Sequence, residues 1–313
     1  MQAVILKKQG GVENFVLATV PLPEIKRDEV LIKTKAISIN PADAIVRENE
    51  HVSWIFGDQR PLILGWDISG EIVAIGSDVR EYKIGDNVFG VIRHPGIGRT
   101  YAEYVAAPAA DISLKPDNVT HQEAAAATLA ALTALQPMQK VGIKRGDRVL
   151  VTAAGGGVGH YAVQLAKYYG AYVIALASGA KKEFVLGLGA DKFIDYQSQV
   201  FNETLSNVDL VVHAVRNEGH VVRSLDVLRK GGTLISLWSN ISEQERNKAA
   251  ERGVSAFYNA IQSNGADMRL VATLLENGTL RSHVSREFTL YDMAEAHLEI
   301  EKGHTQGKIV INI

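Results

Sequence analysis

The residues with the clearest capacity for chemistry stand in VTAAGGGVGHYAVQLAK, where Ala153, Gly156 and Gly159 follow an A-x-x-G-x-x-G spacing. With no side chain at Gly156, the backbone can approach a pyrophosphate closely. The N–H groups of Gly157, Val158 and Gly159, at a helix start, would point at its oxygens. A glycine run does this only between a strand and a helix. Residues 148–153 (RVLVTA) are too compact and too rich in β-branched side chains for a helix and read as a buried parallel strand. After the glycines, Val158, Ala162, Val163, Leu165 and Ala166 recur at helical spacing until Gly170, and residues 172–177 (YVIALA) form a second apolar run. Strand, turn, helix and strand make a βαβ unit of the kind that binds a dinucleotide. The end of the second strand then selects which one. An Asp or Glu there would accept the ribose hydroxyls of NAD, whereas this chain offers Ser178, Lys181 and Lys182. A hydroxyl and two cations attract a 2′-phosphate that a carboxylate would repel, so NADPH is the expected cofactor. The two lysines could instead be the solvated first turn of a helix, but cations are unfavourable at a helix N-terminus.

Such a turn needs a sheet to hold it, and the surrounding pattern supplies one. Apolar runs at 193–196, 210–213, 233–237 and 255–258 alternate with helical candidates at 182–188 and 221–228, which predicts six parallel strands in a doubly wound α/β sheet. Before residue 120 the chain is cut by Gly and Pro into short segments, 3–7, 29–38, 70–75, 87–91 and 104–106, the pattern of a mostly antiparallel β domain. An alanine-rich helix over 122–136 joins the two. After residue 268 come a helix to 275, an extended stretch 284–290, a helix 293–301 and a last strand 308–313, expected to return to the first domain. At 313 residues the chain exceeds the usual single core. The expected division is 1–122 with 268–313, and 123–267. A net charge of −2 gives no reason to expect nucleic acid or an anionic membrane as partner. The N-terminus MQAVILKKQG lacks the apolar core of a signal peptide and no apolar run is long enough to span a bilayer, the pattern of a cytoplasmic chain. With no cysteine, disulfides, thiolate catalysis and cysteine-ligated zinc are excluded.

The motifs NPADAIVR, LGWDISGEIVAIGSDV, YKIGDNVFG, YAEYV, LTALQ, AAGGGVGHYAVQLAK, LGADKFIDY and GKIVI cover essentially the whole chain, and in this order it resembles the zinc-free medium-chain dehydrogenase/reductases of the quinone oxidoreductase branch. The resemblance implies a Rossmann domain beside a GroES-like catalytic domain, and often a homodimer formed through the edge of the nucleotide-binding sheet. In zinc-dependent relatives, the positions of Asn40 and Trp66 hold a metal-binding Cys and His. Neither an amide nor an indole is a useful zinc ligand, so no metal is expected. Without a Lewis acid, hydride transfer suits acceptors that are already polarised, namely quinones and α,β-unsaturated carbonyl compounds. By the same resemblance Asn40 and Asp43 are catalytic candidates beside the nicotinamide and substrate, with Arg47 following. Thr133 faces the cofactor, Ser178, Lys181 and Tyr196 hold the 2′-phosphate, and Lys308 approaches the cofactor or its phosphates. Each has a plainer reading: Asn40 as a turn residue before Pro41, Thr133 as a buried helix hydroxyl, Tyr196 as a strand-end aromatic. His51 stands where enoyl reductase relatives carry a candidate proton-donating Tyr; it is either the proton donor or an exposed loop residue. His213 replaces a frequent Asp. A non-catalytic, crystallin-like NADPH-binding protein is the alternative to an enzyme, since fold alone does not decide function.

Overall fold

The computed structural model describes residues 1–313. In chain order the regular elements are β1 (Gln2–Leu6), β2 (Phe15–Thr19), β3 (Glu29–Ile39), α1 (Pro41–Glu48), β4 (Leu62–Ile63), β5 (Asp67–Ile75), β6 (Asn87–Val91), β7 (Tyr104–Pro108), β8 (Ile112–Leu114), α2 (His121–Ala126) and α3 (Leu129–Val141). There follow β9 (Arg148–Thr152), α4 (Gly159–Tyr168), β10 (Tyr172–Ala177), α5 (Lys182–Gly187), β11 (Lys192–Asp195), α6 (Phe201–Thr204), β12 (Val208–His213), α7 (His220–Asp226), β13 (Leu228–Ser236), α8 (Glu243–Arg252) and β14 (Ser255–Tyr258). The chain ends with α9 (Gly265–Glu276), β15 (Val284–Thr289), α10 (Met293–Glu301) and β16 (Lys308–Asn312). These form two units, Met1–Leu132 with Ile261–Ile313, and Thr133–Ala260.

The first unit is built on a seven-stranded sheet in the order β15-β16-β3-β5-β6-β8, with β7 also on β3, and a three-stranded sheet β2-β1-β4. Its pairs are antiparallel except β15 with β16. The last strand does return to this unit, where β16 pairs with β3. The helix expected over 122–136 is two helices. Ala127 ends α2, Thr128 Oγ1 bonds back to the Ala125 carbonyl at 2.7 Å, and the Asp67 carboxylate accepts the Leu129 N–H at 3.0 Å. A carboxylate at that N–H starts a new helix by satisfying one of its unpaired donors. The small side chains of α2 let it lie close on the sheet, Ala125 and Ala126 packing with Ala36 and Val310. That helix therefore belongs to the first unit, and the division falls between Leu132 and Thr133, ten residues beyond the border expected from the sequence. Strand β2 was not foreseen, because FVLAT is only half-buried and does not alternate cleanly.

The second unit is a parallel sheet in the order β11-β10-β9-β12-β13-β14. Strands run outward from β9 to β10 and β11 on one side and from β12 to β14 on the other. The direction of winding reverses between β9 and β12, and the carboxyl ends of the strands at such a reversal form a crevice. Branched side chains including Leu150, Ile174, Val211 and Leu234 fill the core on the sheet. No helix of either unit is long and apolar enough to cross a membrane.

His213 ends β12, buried, with its Nε2 2.9 Å from His220 Nδ1 on α7, and His220 stacks on Phe201 at 5.2 Å. Burial, together with the neighbouring His220, pushes His213 down to about 3; burial and the Arg223 charge push His220 down to about 4. Both lie below the roughly 6.5 of an unfolded histidine, so below that pH the unfolded chain binds more protons. Their contribution is thus fully present above the unfolded value and lost as pH falls toward the folded ones. Denaturant unfolding should show stability falling between pH 6.5 and 4 by up to about 1.4 kcal/mol per pH unit for each proton involved. His213→Asn with His220→Gln should flatten that slope. Identical slopes for the parent and the double variant would contradict the assignment.

Candidate functional site

At the end of β9 the chain turns through Ala153, whose φ of 49° is left-handed, and the turn closes with Gly156 N–H on the Ala153 carbonyl at 2.9 Å. The glycines then play different parts. A Cβ at Gly159 would lie 2.1 Å from the Ala153 carbonyl oxygen, so this glycine lets α4 start against the turn. A Cβ at Gly155 would lie 2.7 Å from Lys181 Cδ, so the Lys181 stem runs along the turn. A Cβ at Gly156 would meet only the Ala153 carbonyl, at 3.2 Å, and Gly156, Gly157 and Val158 are partly accessible. Accessible backbone amides at the N-terminus of a ten-residue helix, at a topological reversal of a parallel sheet, fit a pyrophosphate.

Ser178 follows β10, the next strand over, and leads into a single turn Gly179–Lys181. Burial lowers the Lys181 ammonium from its usual value. Tyr196 follows β11 and is 55% exposed. The carboxyl ends of adjacent strands β9, β10 and β11 thus carry the glycine turn, Ser178 with Lys181, and Tyr196. They also carry an acid the sequence did not predict: a Cβ at Gly179 would lie 2.7 Å from Asp195 Oδ2. Thr133 is buried on α3. Gly159→Ala should lower the thermal midpoint by several degrees, because its Cβ has no room beside a backbone carbonyl. Gly156→Ala should fold normally by circular dichroism yet bind the dinucleotide weakly in a fluorescence titration. Normal binding by that variant would make the turn only a turn.

The first unit holds a buried polar cluster. Asn40 is the N-cap of α1 with Pro41 at the first helical position, and Asp43 Oδ2 reaches back to accept the Asn40 N–H at 2.7 Å. Lys308 Nζ donates to Asn40 Oδ1 at 2.5 Å and to the Ile39 carbonyl at 2.8 Å. Asn40 Nδ2 donates to Asp67 Oδ2 at 2.9 Å, and the Ser38 hydroxyl donates to the same oxygen. An ammonium only donates and a carboxylate accepts, so the Asn40 amide has one orientation. Asn40, Asp43, Asp67 and Lys308 are 3%, 0%, 0% and 3% exposed. Burial and the charge of Asp67 raise Asp43 to about 7, opposed by the Asn40 hydrogen bonds and Lys308. Burial lowers Lys308, opposed by Asp67 and Asp43.

Lys308, expected at the cofactor, has its ammonium committed to Asn40 and Ile39. Arg47 is buried and reaches Glu301 at 2.5 Å and His297 Nδ1 at 3.3 Å. His51 lies exposed in the seven-residue 3₁₀ helix Glu50–Phe56, its backbone N–H on Asn49 Oδ1 at 3.0 Å. Trp66 is 1% exposed; its indole donates to the Gly96 carbonyl and its ring meets that of His94 edge-on at 5.5 Å. No group of three or more His, Cys, Asp or Glu side chains is placed to hold a metal ion. Sequence reasoning missed Asp67, Tyr101 and His297. The first two stand inside LGWDISG and YAEYV, where only Trp66 carried a role, and nothing near His297 marks it.

Comparison with known proteins places this geometry in a family. The profile of the Alcohol dehydrogenase GroES-like domain matches residues 26–117, and that of Zinc-binding dehydrogenase matches residues 188–311. NAD(P)H oxidoreductase RTN4IP1, mitochondrial, of Mus musculus is 30% identical, over 100% of this chain and 89% of its own length. NADPH-dependent alkenal/one oxidoreductase, chloroplastic, of Arabidopsis thaliana is 31% identical over 99% of this chain and 79% of its own. The structure of the quinone oxidoreductase from Coxiella burnetii superposes with a TM-score of 0.93 at 34% identity, covering 100% of this chain and 99% of that one. The chain therefore belongs to the medium-chain dehydrogenase/reductase family, in its quinone oxidoreductase branch.

Proposed function

We propose that this protein is an NADPH-dependent oxidoreductase that transfers hydride to quinones or α,β-unsaturated carbonyl compounds without a metal. The observation that carries the reading is the accessible glycine turn at the winding reversal of the parallel sheet, with the Lys181 stem laid along it. Relatives named for alkenal/one and quinone reduction support the substrate class. The side chains at the two metal-ligand positions support metal independence: Asn40 is bonded to Asp67 and Lys308, and the Trp66 indole is bonded to a carbonyl.

A bound nicotinamide supplies the hydride; the chain supplies position and charge. Gly157, Val158 and Gly159 would hold the pyrophosphate with backbone N–H groups, Gly156 would let it approach the backbone, Ala153 sets the turn, and Thr133 would face the cofactor. Ser178, Lys181 and Tyr196 receive the 2′-phosphate. Asn40 would border the reaction site, its backbone held by the buried Asp43 and its amide oriented by Lys308. His51, on an exposed segment, would donate the proton to the α-carbon of the enolate that hydride addition at the β-carbon leaves.

Lys181 and Asp195 oppose one another in the choice of cofactor. Lys181→Ala should weaken NADPH by about 1–3 kcal/mol while leaving NADH nearly unchanged, and Asp195→Asn should tighten NADPH. Parallel fluorescence titrations read both, and equal losses for the two cofactors in Lys181→Ala would sink the assignment. Dialysis against a strong chelator should leave NADPH consumption with quinones and enones intact. His51→Ala should slow enone reduction about a hundredfold and quinone reduction much less, because hydroquinone oxygens take protons from water. Unchanged enone rates would return His51 to the surface, and no turnover with any acceptor would favour a binding protein over an enzyme.

A further inference from the structure

Gly155 lies outside the A-x-x-G-x-x-G spacing, and no backbone demand explains it, because its φ is not in the left-handed region. It is nevertheless buried, while Gly156, Gly157 and Val158 beside it are partly accessible. The side chain laid over it is Lys181. The three atoms nearest a Cβ built at Gly155 all belong to that residue: Cδ at 2.7 Å, Cβ at 3.2 Å and Cγ at 3.4 Å. The space that a methyl group would take at Gly155 is thus the slot in which the Lys181 stem lies. Long cationic side chains commonly bury their methylenes in this way and keep the charged head in water. Lys182, the next residue along, is exposed.

We propose that Gly155 determines the choice between NADPH and NADH: by leaving room for the Lys181 stem, it fixes the direction in which the ammonium is presented to the adenosine 2′-phosphate. The backbone at Lys181 has little freedom of its own. Its N–H is bonded to the Ser178 carbonyl at 2.9 Å and the Lys182 N–H to the Gly179 carbonyl, which closes the turn Gly179–Lys181. The ammonium therefore changes position through rotation of its side chain, and the slot at Gly155 selects among the rotations. A methyl group at Gly155 would come within 2.7 Å of Lys181 Cδ, so the stem must rotate out of the slot. The atoms it meets belong to a flexible side chain and not to backbone, so the turn itself survives. NADH has no 2′-phosphate, and its affinity does not depend on where the ammonium points. The inference rests on the proposed reading of Lys181 as the cation that receives the 2′-phosphate; what it adds is that a residue without a side chain, at the end of the neighbouring strand, aims that cation.

The test is a double-mutant cycle of the parent, Gly155→Ala, Lys181→Ala and the double variant, read by fluorescence titration with NADPH and NADH and with circular dichroism as the check on folding. Gly155→Ala should weaken NADPH about tenfold and leave NADH within about twofold of the parent. In the Lys181→Ala background, where the stem is gone, the same substitution should change neither affinity. Displacement by adenosine 2′,5′-bisphosphate should weaken in step with NADPH, while displacement by adenosine 5′-monophosphate, which lacks the 2′-phosphate, should follow NADH. Equal losses for the two cofactors, or an effect of Gly155→Ala that persists in the Lys181→Ala background, overturns the proposal. So does a Gly155→Ala variant that fails to fold, because the methyl group would then be meeting something that cannot move aside. Loss of NADPH in Lys181→Ala with none in Gly155→Ala rejects the role of Gly155 alone. No loss of NADPH in Lys181→Ala rejects the proposed reading of Lys181, and the role of Gly155 with it.

Discussion

The buried carboxylate of Asp67 is the constraint on which the first unit turns. It accepts the Ser38 hydroxyl from β3, the Asn40 amide from the cap of α1 and the Leu129 N–H that opens α3, and it lies 3.8 Å from Lys308 on β16. A charge taken out of water must be paired and hydrogen-bonded on all sides, and removing one member of such a group commonly costs about 3–5 kcal/mol. Five elements are therefore held to one another by one side chain. Because the Lys308 ammonium can only donate and the Asp67 carboxylate only accepts, the same network fixes the orientation of Asn40 without help from a ligand.

The second unit answers the same problem without charge. It presents a partly accessible glycine turn at a helix start, and the sheet's winding order, rather than any one side chain, puts that turn at the reversal between β9 and β12. Glycine at position 159 is needed for packing, whereas glycine at position 156 has no packing partner that excludes a methyl group outright. Lys181 and Asp195 at the carboxyl ends of neighbouring strands then supply opposite charges.

The sequence made some of this legible and hid the rest for physical reasons. The βαβ unit around the glycines could be read because strand and helix periods, and the glycine stops, are local properties. Asn40 and Trp66 could be read because a residue type either can or cannot bind zinc. The division of 122–136 into two helices could not, since its cause is Asp67, more than sixty residues away, which accepts the N–H that starts α3. Arg47 and His297 are separated by 250 positions, and neither carries a local signal of the other. Asp195 was overlooked because an acid was looked for only at the end of β10, while this one stands at the end of the neighbouring β11. Lys308 was assigned to the cofactor on its position in a motif, but its ammonium follows the nearest buried acceptors.

The central claim is direct hydride transfer without metal assistance, and isotope tracing tests it most directly. Chelator-dialysed protein, supplied with NADPH deuterated on the transferring face of C4 and with a simple enone, should place one deuterium at the β-carbon of the saturated ketone for each NADPH consumed. NADPH that is bound but not consumed, or product whose β-hydrogen comes from solvent, would contradict the account.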